Sequence, residues 1–396
     1  MVILKSDRGC FATKSLEATK DVVSGRKPTR APSRAVSEAG VRDVFFSRSK
    51  PLVGLDIGTS SVKAVVLKPR RKGKGFTLQN MAVEPLPPEV IVEGAIMDSG
   101  PIIDAINRVC EVARIKTNEV AVALSGHSVI VKRVSIPSMS NEELAESIHW
   151  EAEQYIPFDI DDVHIDYQVL GDSSDGESME VLLVAVKKDK VNDYTSVISQ
   201  AGCIPVVVDV DVFAVQNAFE VNYGLNTNQT TALVNVGAAV TNVSVLSGGN
   251  SRFWRDLSIG GNNYTEAIQR EMGVSFEVAE DTKRGRAAEE VPAEELQPIL
   301  DAVNHEMVTE VQKTIDFFLS SHSEEQLDKI VLSGGGSRLE CLSGALAERF
   351  GCPVEHLDPF QAISVDDRAF PPEALADMAP AAAVAVGLAV RKGGDR

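Results

Sequence analysis

The pattern of apolar and polar positions repeats once, half a chain apart. Residues 53–67 and 232–246 each contain an apolar run, a tight turn of the form Asp/Asn-x-Gly, and a second apolar run. Two short β-branched runs joined by such a turn are typical of a β-hairpin. The spacing is too long for a solenoid repeat, so it predicts two similar lobes. Chance similarity between valine-rich strands is the alternative.

Between the two copies, the pattern predicts further strands and helices within the first lobe. Residues 98–101 have the features of a helix start, with a proline in the first turn. Ser140 and Glu143 form a capping box for a second helix that ends by Pro157. Alternating apolar residues predict strands at 120–124, 129–136, 163–169 and 181–186. We interpret this group as a subdomain inserted into the first lobe.

Strands continue to alternate with helices after the second copy. A helix is expected to begin near Tyr264, and the charged stretch 284–295 is expected to form a surface turn. Apolar residues three and four apart predict a long helix over 299–321. A strand at 329–332 then enters a glycine turn, and a helix follows from Leu339. This alternation predicts an α/β fold with mixed sheets in two lobes.

These segments divide the chain into five expected parts. They are a basic, disordered extension (1–50), the core of lobe one (51–82 and 190–225), its inserted subdomain (83–189), the core of lobe two (226–260 and 325–396) and a helical subdomain of lobe two (261–324).

Charge and composition narrow the classes of function. The 396 residues include 39 Lys and Arg against 57 Asp and Glu, a net charge of −18. This balance excludes a general nucleic-acid binder, because neutralising phosphates needs clustered basic residues. The first 50 residues differ, with 11 Lys and Arg against five Asp and Glu. A mis-assigned start, or a basic arm that docks on an acidic partner, are the alternatives to simple disorder there.

Cysteine, histidine and apolar patterns favour a cytoplasmic protein without a metal centre of its own. The five cysteines are dispersed and form no C-x-x-C pair, which favours a reducing compartment. The six histidines show no metal-binding spacing. The longest apolar run, residues 381–390, is too short to cross a bilayer, which needs roughly 20 residues. We therefore expect no direct membrane insertion.

The first hairpin turn carries the clearest candidate chemistry. A short loop of Gly, Thr and Ser exposes backbone N–H groups that can converge on phosphate oxygens. The polar residues of this turn are Asp56, Gly58, Thr59, Ser60, Ser61 and Lys63. Asp56 suits a Mg²⁺ ion held through water, and Lys63 can supply a positive charge. An ordinary polar hairpin is the alternative.

Three further glycine turns favour a phosphate-binding cleft between the lobes. Gly334, Gly335 and Gly336 follow a buried-type strand and precede a helix, where a backbone can lie against a nucleotide. Asn235 and Gly237 form the turn of the second hairpin, and Gly260 and Gly261 precede the helix near Tyr264.

The order of these motifs resembles the actin-like ATPase superfamily. Its two phosphate motifs and its adenosine motif match 53–67, 232–246 and 330–339, and its linker helices match 208–214 and 381–388. The resemblance implies a two-lobed actin-like (RNase H-like) fold that binds ATP and Mg²⁺. The residues it implies around adenosine are Glu280, Lys283, Gly334, Gly335, Gly336 and Arg338. A helical surface ion pair is the alternative for Glu280 and Lys283.

The inserted subdomain narrows the resemblance to one family. Residues 136–144, 148–158 and 166–171 resemble the PilM family of type IV pilus assembly proteins, relatives of the cell-division protein FtsA with the same type of inserted subdomain. That family implies a cytoplasmic ATP-binding scaffold for pilus biogenesis and twitching motility. It holds the N-terminal cytoplasmic tail of the inner-membrane protein PilN in a groove beside the subdomain, and it contacts other inner-membrane and motor components. We expect Trp150 and Tyr155 to belong to the subdomain core rather than to that groove.

One residue departs from the superfamily pattern. Many actin relatives have aspartate in the second phosphate turn, where this chain has Asn235. An amide cannot act as a base or carry charge to Mg²⁺, so we expect ATP binding with weak or absent hydrolysis. Two alternatives remain: a carbohydrate-kinase-like phosphotransferase, and a membrane-associated polymer like FtsA.

Overall fold

The computed structural model describes residues 51–70, 75–172, 176–286 and 292–392. The basic segment 1–50 lies outside these ranges, and so do the expectations for it. The strands are β1 Val53–Ile57, β2 Ser61–Pro69, β3 Phe76–Pro85, β4 Ile91–Val92, β5 Ala95–Ile96, β6 Glu119–Leu124, β7 Val129–Pro137, β8 Val163–Asp172, β9 Ser178–Lys187, β10 Ile204–Val210, β11 Thr231–Val236, β12 Thr241–Ser247, β13 Asn250–Leu257, β14 Lys329–Ser333 and β15 Val354–His356. The helices are α1 Ser99–Val112, α2 Asn141–Glu153, α3 Lys188–Gln200, α4 Asp211–Tyr223, α5 Gly261–Met272, α6 Phe276–Lys283, α7 Ala293–Ser321, α8 Glu340–Phe350, α9 Pro372–Met378 and α10 Ala383–Ala389.

Two five-stranded sheets share one topology. The first has the order β10-β6-β1-β2-β3 and the second has the order β15-β14-β11-β12-β13. In each sheet the first three strands are parallel, and the hairpin strands that follow are antiparallel. Both predicted hairpins are confirmed, because β1 pairs with β2 and β11 pairs with β12. The chain therefore consists of two similar α/β lobes.

Two helices join the lobes. One apolar cluster contains residues of both sheets together with α4 and α10, namely Leu52, Ala121, Val207, Ala214, Val215, Phe219, Leu233, Leu246, Val331, Val384 and Leu388. The helices cross very closely, since a Cβ on Gly387 would lie 1.7 Å from the carbonyl oxygen of Ala214. Glycine at 387 is thus required by the close approach of two backbones. The linker helices expected at 208–214 and 381–388 correspond to α4 and α10 in this seam, although residues 208–210 belong to β10.

A buried ion pair secures the end of α10. The Nε of Arg391 lies 3.3 Å from the Oδ2 of Asp209 at the end of β10, and both side chains are fully buried. Removing one partner would leave an uncompensated buried charge, which is strongly destabilising. The pair therefore fixes the C-terminal helix to the first sheet.

The inserted subdomain is smaller than predicted. Its own sheet has the order β7-β9-β8, and α2 covers one face of it through Leu144 and Ile148. In contrast, β6 is hydrogen-bonded between β1 and β10 in the first sheet, and α1 packs on β2 and β3. The expected boundary at residue 83 was wrong, because the chain returns to the first sheet before entering the subdomain near residue 125.

Several element boundaries also differ from the predictions. The capping box of Ser140 and Glu143 is present, but α2 ends at Glu153, before Pro157. The long helix α7 begins at Ala293 rather than at 299, and Pro298 is accommodated within it. Trp150 is 77% exposed, so its expected place in the subdomain core was wrong, whereas Tyr155 packs against that core.

One stretch of the described chain, Pro372–Ala389, is long and apolar enough to cross a membrane by length and composition. Its second part is α10, whose residues are all buried in the seam between the lobes.

The seam makes a direct prediction for stability. Gly387→Ala forces a methyl group into the backbone of α4, so we expect a loss of about 3 kcal/mol or more in the free energy of unfolding. Gly344→Ala in α8 is the matched control, because no atom lies within 4 Å of the place its methyl group would take and alanine favours a helix by about 0.5–1 kcal/mol. Urea unfolding measures both variants. Equal stability of the two would contradict the close crossing.

Candidate functional site

The two hairpin turns are built alike. In the first, Asp56 faces Lys63 across the strands, and the N–H of Gly58 donates to the carbonyl oxygen of Ser61 at 3.1 Å. In the second, Asn235 takes the place of Asp56, and the N–H of Gly237 donates to the carbonyl oxygen of Val240 at 2.9 Å. The turns thus end corresponding strands of the two sheets.

Each turn presents backbone donors that the fold does not use. Among the described residues, the N–H groups of Thr59 and Ser60 have no acceptor, and the same is true of Ala238 and Ala239. Adjacent N–H groups at the tip of a tight turn form an anion-binding concavity. The side chains of Thr59, Ser60 and Ser61 add hydroxyl donors to the first turn. The N–H groups of the two turns can therefore bind phosphate oxygens without a contribution from the Asn235 side chain.

Asp56 and Lys63 form an ion pair inside the first hairpin. The Nζ of Lys63 lies 3.0 Å from the Oδ2 of Asp56, and both side chains are nearly buried. The other carboxylate oxygen is left to accept from water. Among the described residues, no group of three His, Cys, Asp or Glu side chains is arranged to hold a metal ion. Asp56 therefore fits a hydrated cation better than a fully protein-bound one.

The second turn rests on the start of α5. The N–H of Gly261 donates to the carbonyl oxygen of Gly237 at 2.9 Å, and the N–H of Asn262 donates to that of Ala238 at 2.7 Å. A Cβ on Gly260 would lie 2.6 Å from the Ala238 oxygen, so this position has no room for a side chain. Gly260 and Gly261 thus support the turn, and the N-terminus of α5 lies against it.

The glycines at 334–336 have different surroundings. Gly334 has a φ of +86°, and a Cβ there would meet the carbonyl oxygen of Val236 at 2.3 Å. A Cβ on Gly336 would lie 2.5 Å from the Val236 side chain, whereas Gly335 is exposed and a Cβ there would meet only the Ala381 Cβ, at 4.0 Å. A short 3₁₀ turn, Gly335–Arg338, separates this loop from α8, so the helix does not start directly from the glycines.

Arg338 contacts α9 rather than the hairpins. Its guanidinium donates to the carbonyl oxygen and to the carboxylate of Asp377, both at 2.9 Å, and the side chain is half exposed. Arg338 shares the 3₁₀ turn with Gly335 and Gly336, but its guanidinium is engaged by Asp377.

Glu280 and Lys283 link α6 to the start of α5. Lys283 pairs with Glu280 and donates to the Thr265 hydroxyl at 2.8 Å and to the Gly261 carbonyl oxygen at 3.1 Å. Burial alone would raise the pKa of Glu280, but Lys283, Thr265 and Arg284 lower it below its usual value. Burial lowers the pKa of Lys283 despite the same pairing. Both side chains are less than one-fifth exposed, which contradicts the surface-pair alternative.

A carboxyl group between the lobes was not predicted from the sequence. Asp211 begins α4, and burial raises its pKa to about 7, aided by the nearby carboxylates of Asp56 and Asp256 and opposed by Ser125 and Lys190. The first hairpin and the end of β13 therefore face Asp211 together. An acidic residue at a helix start, directly after a buried strand, was the available signal. No sequence signal pointed to Asp256 and Lys190, because only folding brings them close to Asp211.

Comparison with known proteins identifies the family. The sequence pattern of the type IV pilus assembly protein PilM matches residues 54–393. The chain belongs to the PilM family. A solved structure described as the PilM–PilN type IV pilus biogenesis complex is similar, with 30% identity and a TM-score of 0.77, over 87% of this chain and 98% of that one.

A more distant structure agrees on the fold. The ethanolamine utilization protein EutJ from Carboxydothermus hydrogenoformans matches with 16% identity and a TM-score of 0.51, over 86% of this chain and 92% of that one. The fold is the predicted two-lobed, actin-like α/β fold, and the PilM resemblance is confirmed.

The raised pKa of Asp211 predicts how stability depends on pH. The folded chain keeps this proton up to about pH 7, whereas an unfolded aspartic acid loses it near pH 3.8. The folded state therefore binds more protons in this window, and its stability falls as pH rises through it. Asp211→Asn removes the titration. Between pH 5 and pH 8, we expect the free energy of unfolding of the variant to rise relative to that of the unaltered chain by on the order of 1 kcal/mol or more.

Urea unfolding at the two pH values measures this difference. Asp104→Asn, on the exposed face of α1, removes a carboxyl group outside the cleft and serves as the control. If the free energies of unfolding of Asp211→Asn and of the control change equally between pH 5 and pH 8, the raised pKa of Asp211 is wrong.

Proposed function

We propose that this chain is a cytoplasmic, ATP-binding scaffold of the type IV pilus assembly machine. In this role it binds the N-terminal cytoplasmic tail of PilN and connects the inner-membrane complex to the motor that drives pilus biogenesis and twitching. The observation that carries the proposal is the pair of matching turns, each with two unused N–H donors, in a member of the PilM family.

The nucleotide part of the proposal follows from the turns. Thr59 and Ser60 on one lobe, and Ala238 and Ala239 on the other, would bind phosphate oxygens through their N–H groups. Lys63 would add a positive charge, and Asp56 would hold Mg²⁺ through water. Bound in this way, ATP supplies a bridge of negative charge between the lobes. Such a bridge biases the angle between them, as in hinge closure.

The adenosine part rests on the surfaces around the second turn. Gly335 is exposed beside the loop, and Glu280 with Lys283 forms a polar surface against α5. We place the ribose and base between these elements. Arg338 would reach them only after leaving Asp377.

We propose slow or negligible hydrolysis. The Asn235 side chain is buried and held by two hydrogen bonds, to Asn242 and from Ser333, so it offers neither charge nor a base. A turnover number on the order of 1 per second or more would be typical of enzymes and would contradict this part.

The peptide part rests on the relative of known structure. That protein was solved as a PilM–PilN complex, and it is similar to this chain over almost its whole length. We propose that an extended PilN tail lies between the first sheet and the inserted subdomain, held by backbone hydrogen bonds and a few apolar pockets. The chain would then lie at the inner membrane through its partner.

Nucleotide binding is tested at two positions of the cleft. Gly335→Val adds a side chain whose Cβ would contact the protein only at the Ala381 Cβ, 4.0 Å away, so we expect the loss to come from excluding the ligand. Asp56→Ala removes the carboxylate that would hold Mg²⁺. We expect each to weaken binding of a fluorescent ATP analogue with Mg²⁺ by about tenfold or more. Gly344→Val, exposed on α8, is the control for Gly335→Val. Unchanged affinity in both cleft variants would exclude these residues from the site.

Peptide binding is tested with the cytoplasmic tail of PilN from the same organism. We expect the synthetic tail to bind the pure chain, and a scrambled tail of equal charge not to bind. Calorimetry with and without ATP and Mg²⁺ measures both affinity and coupling. Equal binding of the two tails would contradict a specific groove.

A further inference from the structure

A chain of four hydrogen bonds leads away from the second hairpin turn. The Ser333 hydroxyl donates to the Oδ1 of Asn235 at 3.0 Å, and the Nδ2 of Asn235 donates to the Oδ1 of Asn242 at 2.9 Å. The Nδ2 of Asn242 donates to the Oδ1 of Asp256 at 2.8 Å. The other oxygen of Asp256 accepts the backbone N–H of Gly126 at 2.6 Å. We call these five residues the relay.

The carboxylate of Asp256 sets the direction of the relay. A carboxylate only accepts, so Asn242 must turn its NH₂ group toward Asp256 and its oxygen toward Asn235. Asn235 must in turn present an NH₂ group to that oxygen. An aspartate at position 235 would bring two oxygens together inside a buried network. The amide at 235 is therefore what this arrangement of partners requires.

The two ends of the relay lie in different lobes. Asn235 and Asn242 face each other across the hairpin whose tip carries the N–H groups of Ala238 and Ala239. Gly126 lies between the end of β6 and the start of β7, where the chain leaves the first sheet for the inserted subdomain. The relay thus joins the second turn to the base of that subdomain.

Other contacts join the two lobes near Gly126. His127 and the Ser258 hydroxyl are 2.9 Å apart, and the rings of Phe213 and Trp254 meet edge to face at 6.0 Å. The Nζ of Lys190 donates to the Ser125 carbonyl oxygen at 2.6 Å. The loop at 125–128 is therefore held from both lobes, and Asp256 is its charged contact from lobe two.

We propose that Asn235, Asn242 and Asp256 are positioning residues that couple ligand binding at the second turn to the placement of the inserted subdomain. The coupling to nucleotide rests on the proposed function. A phosphate group that binds the tip of the hairpin shifts β11 and β12, and the relay passes this shift to Gly126. Each amide of the relay has only one orientation that matches its donors and acceptors to those of its neighbours. A shift of one side chain therefore displaces the next one.

Reversing the relay tests this proposal. Asn235→Asp leaves the Oδ1 of Asn242 facing a carboxylate oxygen, because the carboxylates at 235 and 256 both only accept. Asp256→Asn leaves no such pair, since the three amides can turn over and the Ser333 hydroxyl can accept from Asn235. The double variant restores all four bonds and reverses the two central ones: Asn242 donates to the new carboxylate, and the new amide at 256 donates to Asn242. Ser333 and Gly126 donate as before. The double variant also keeps the net charge. Neighbouring residues that act as a unit give strongly non-additive effects, so rescue is the decisive sign.

The first readout uses the chain without ligand. We expect amide hydrogen exchange in the segment 124–129 to rise about tenfold or more in Asn235→Asp, to change less in Asp256→Asn, and to return toward the original rate in the double variant. Asn226→Asp is the control, because its oxygen accepts the Asn228 N–H and aspartate keeps that bond. Where a single variant fails to fold, a folded double variant supports the relay equally. A double variant as perturbed as the sum of the singles overturns it.

The second readout adds a non-hydrolysable ATP analogue with Mg²⁺. We expect the analogue to change exchange in 124–137 in the unaltered chain and in the double variant, and to leave it unchanged in Asn235→Asp. If the unaltered chain binds the analogue and this segment does not respond, the coupling is wrong. If it does not bind the analogue at all, the proposed function fails, and the ligand-free comparison still decides the relay.

Discussion

The close crossing of α4 and α10 is the contact on which the rest of the structure depends. Two sheets of equal topology bury one face each against this helix pair, and Gly387 lets the two backbones meet. Because both helices belong to the shared apolar cluster, the lobes cannot separate without exposing it to water. The seam therefore fixes which strand ends face each other.

The candidate site follows from that placement. Its donors come mainly from the main chain, and its glycines are required where backbones touch, as at Gly260 and Gly334. Acidic side chains gather where the lobes meet, and the proximity of Asp56, Asp211 and Asp256 makes the cleft rich in acidic groups. Lys63 and Lys190 balance part of that charge, and the hydrated cation proposed beside Asp56 would balance more of it.

Local sequence signals predicted the parts of the fold that depend on neighbours along the chain. Both hairpins and the capping box at Ser140 were found because their signals are short, whereas the two linker helices were expected from the superfamily resemblance. The subdomain boundary was missed because β6 has the same strand pattern whichever sheet it joins. Trp150 was misplaced because an aromatic residue on a helix does not show which face is covered. Asp211, Asn242 and Asp256 meet only through folding, so their partnership could not be deduced from their spacing.

The central claim is that a triphosphate joins the two hairpin turns across the seam. The most direct measurement is a crystal structure of the chain grown with Mg²⁺ and a non-hydrolysable ATP analogue. We predict phosphate density within hydrogen-bond distance of the N–H groups of both turns, and a water-coordinated ion beside Asp56. Density for the analogue at another place, or none at the turns when the analogue is saturating, would contradict the claim.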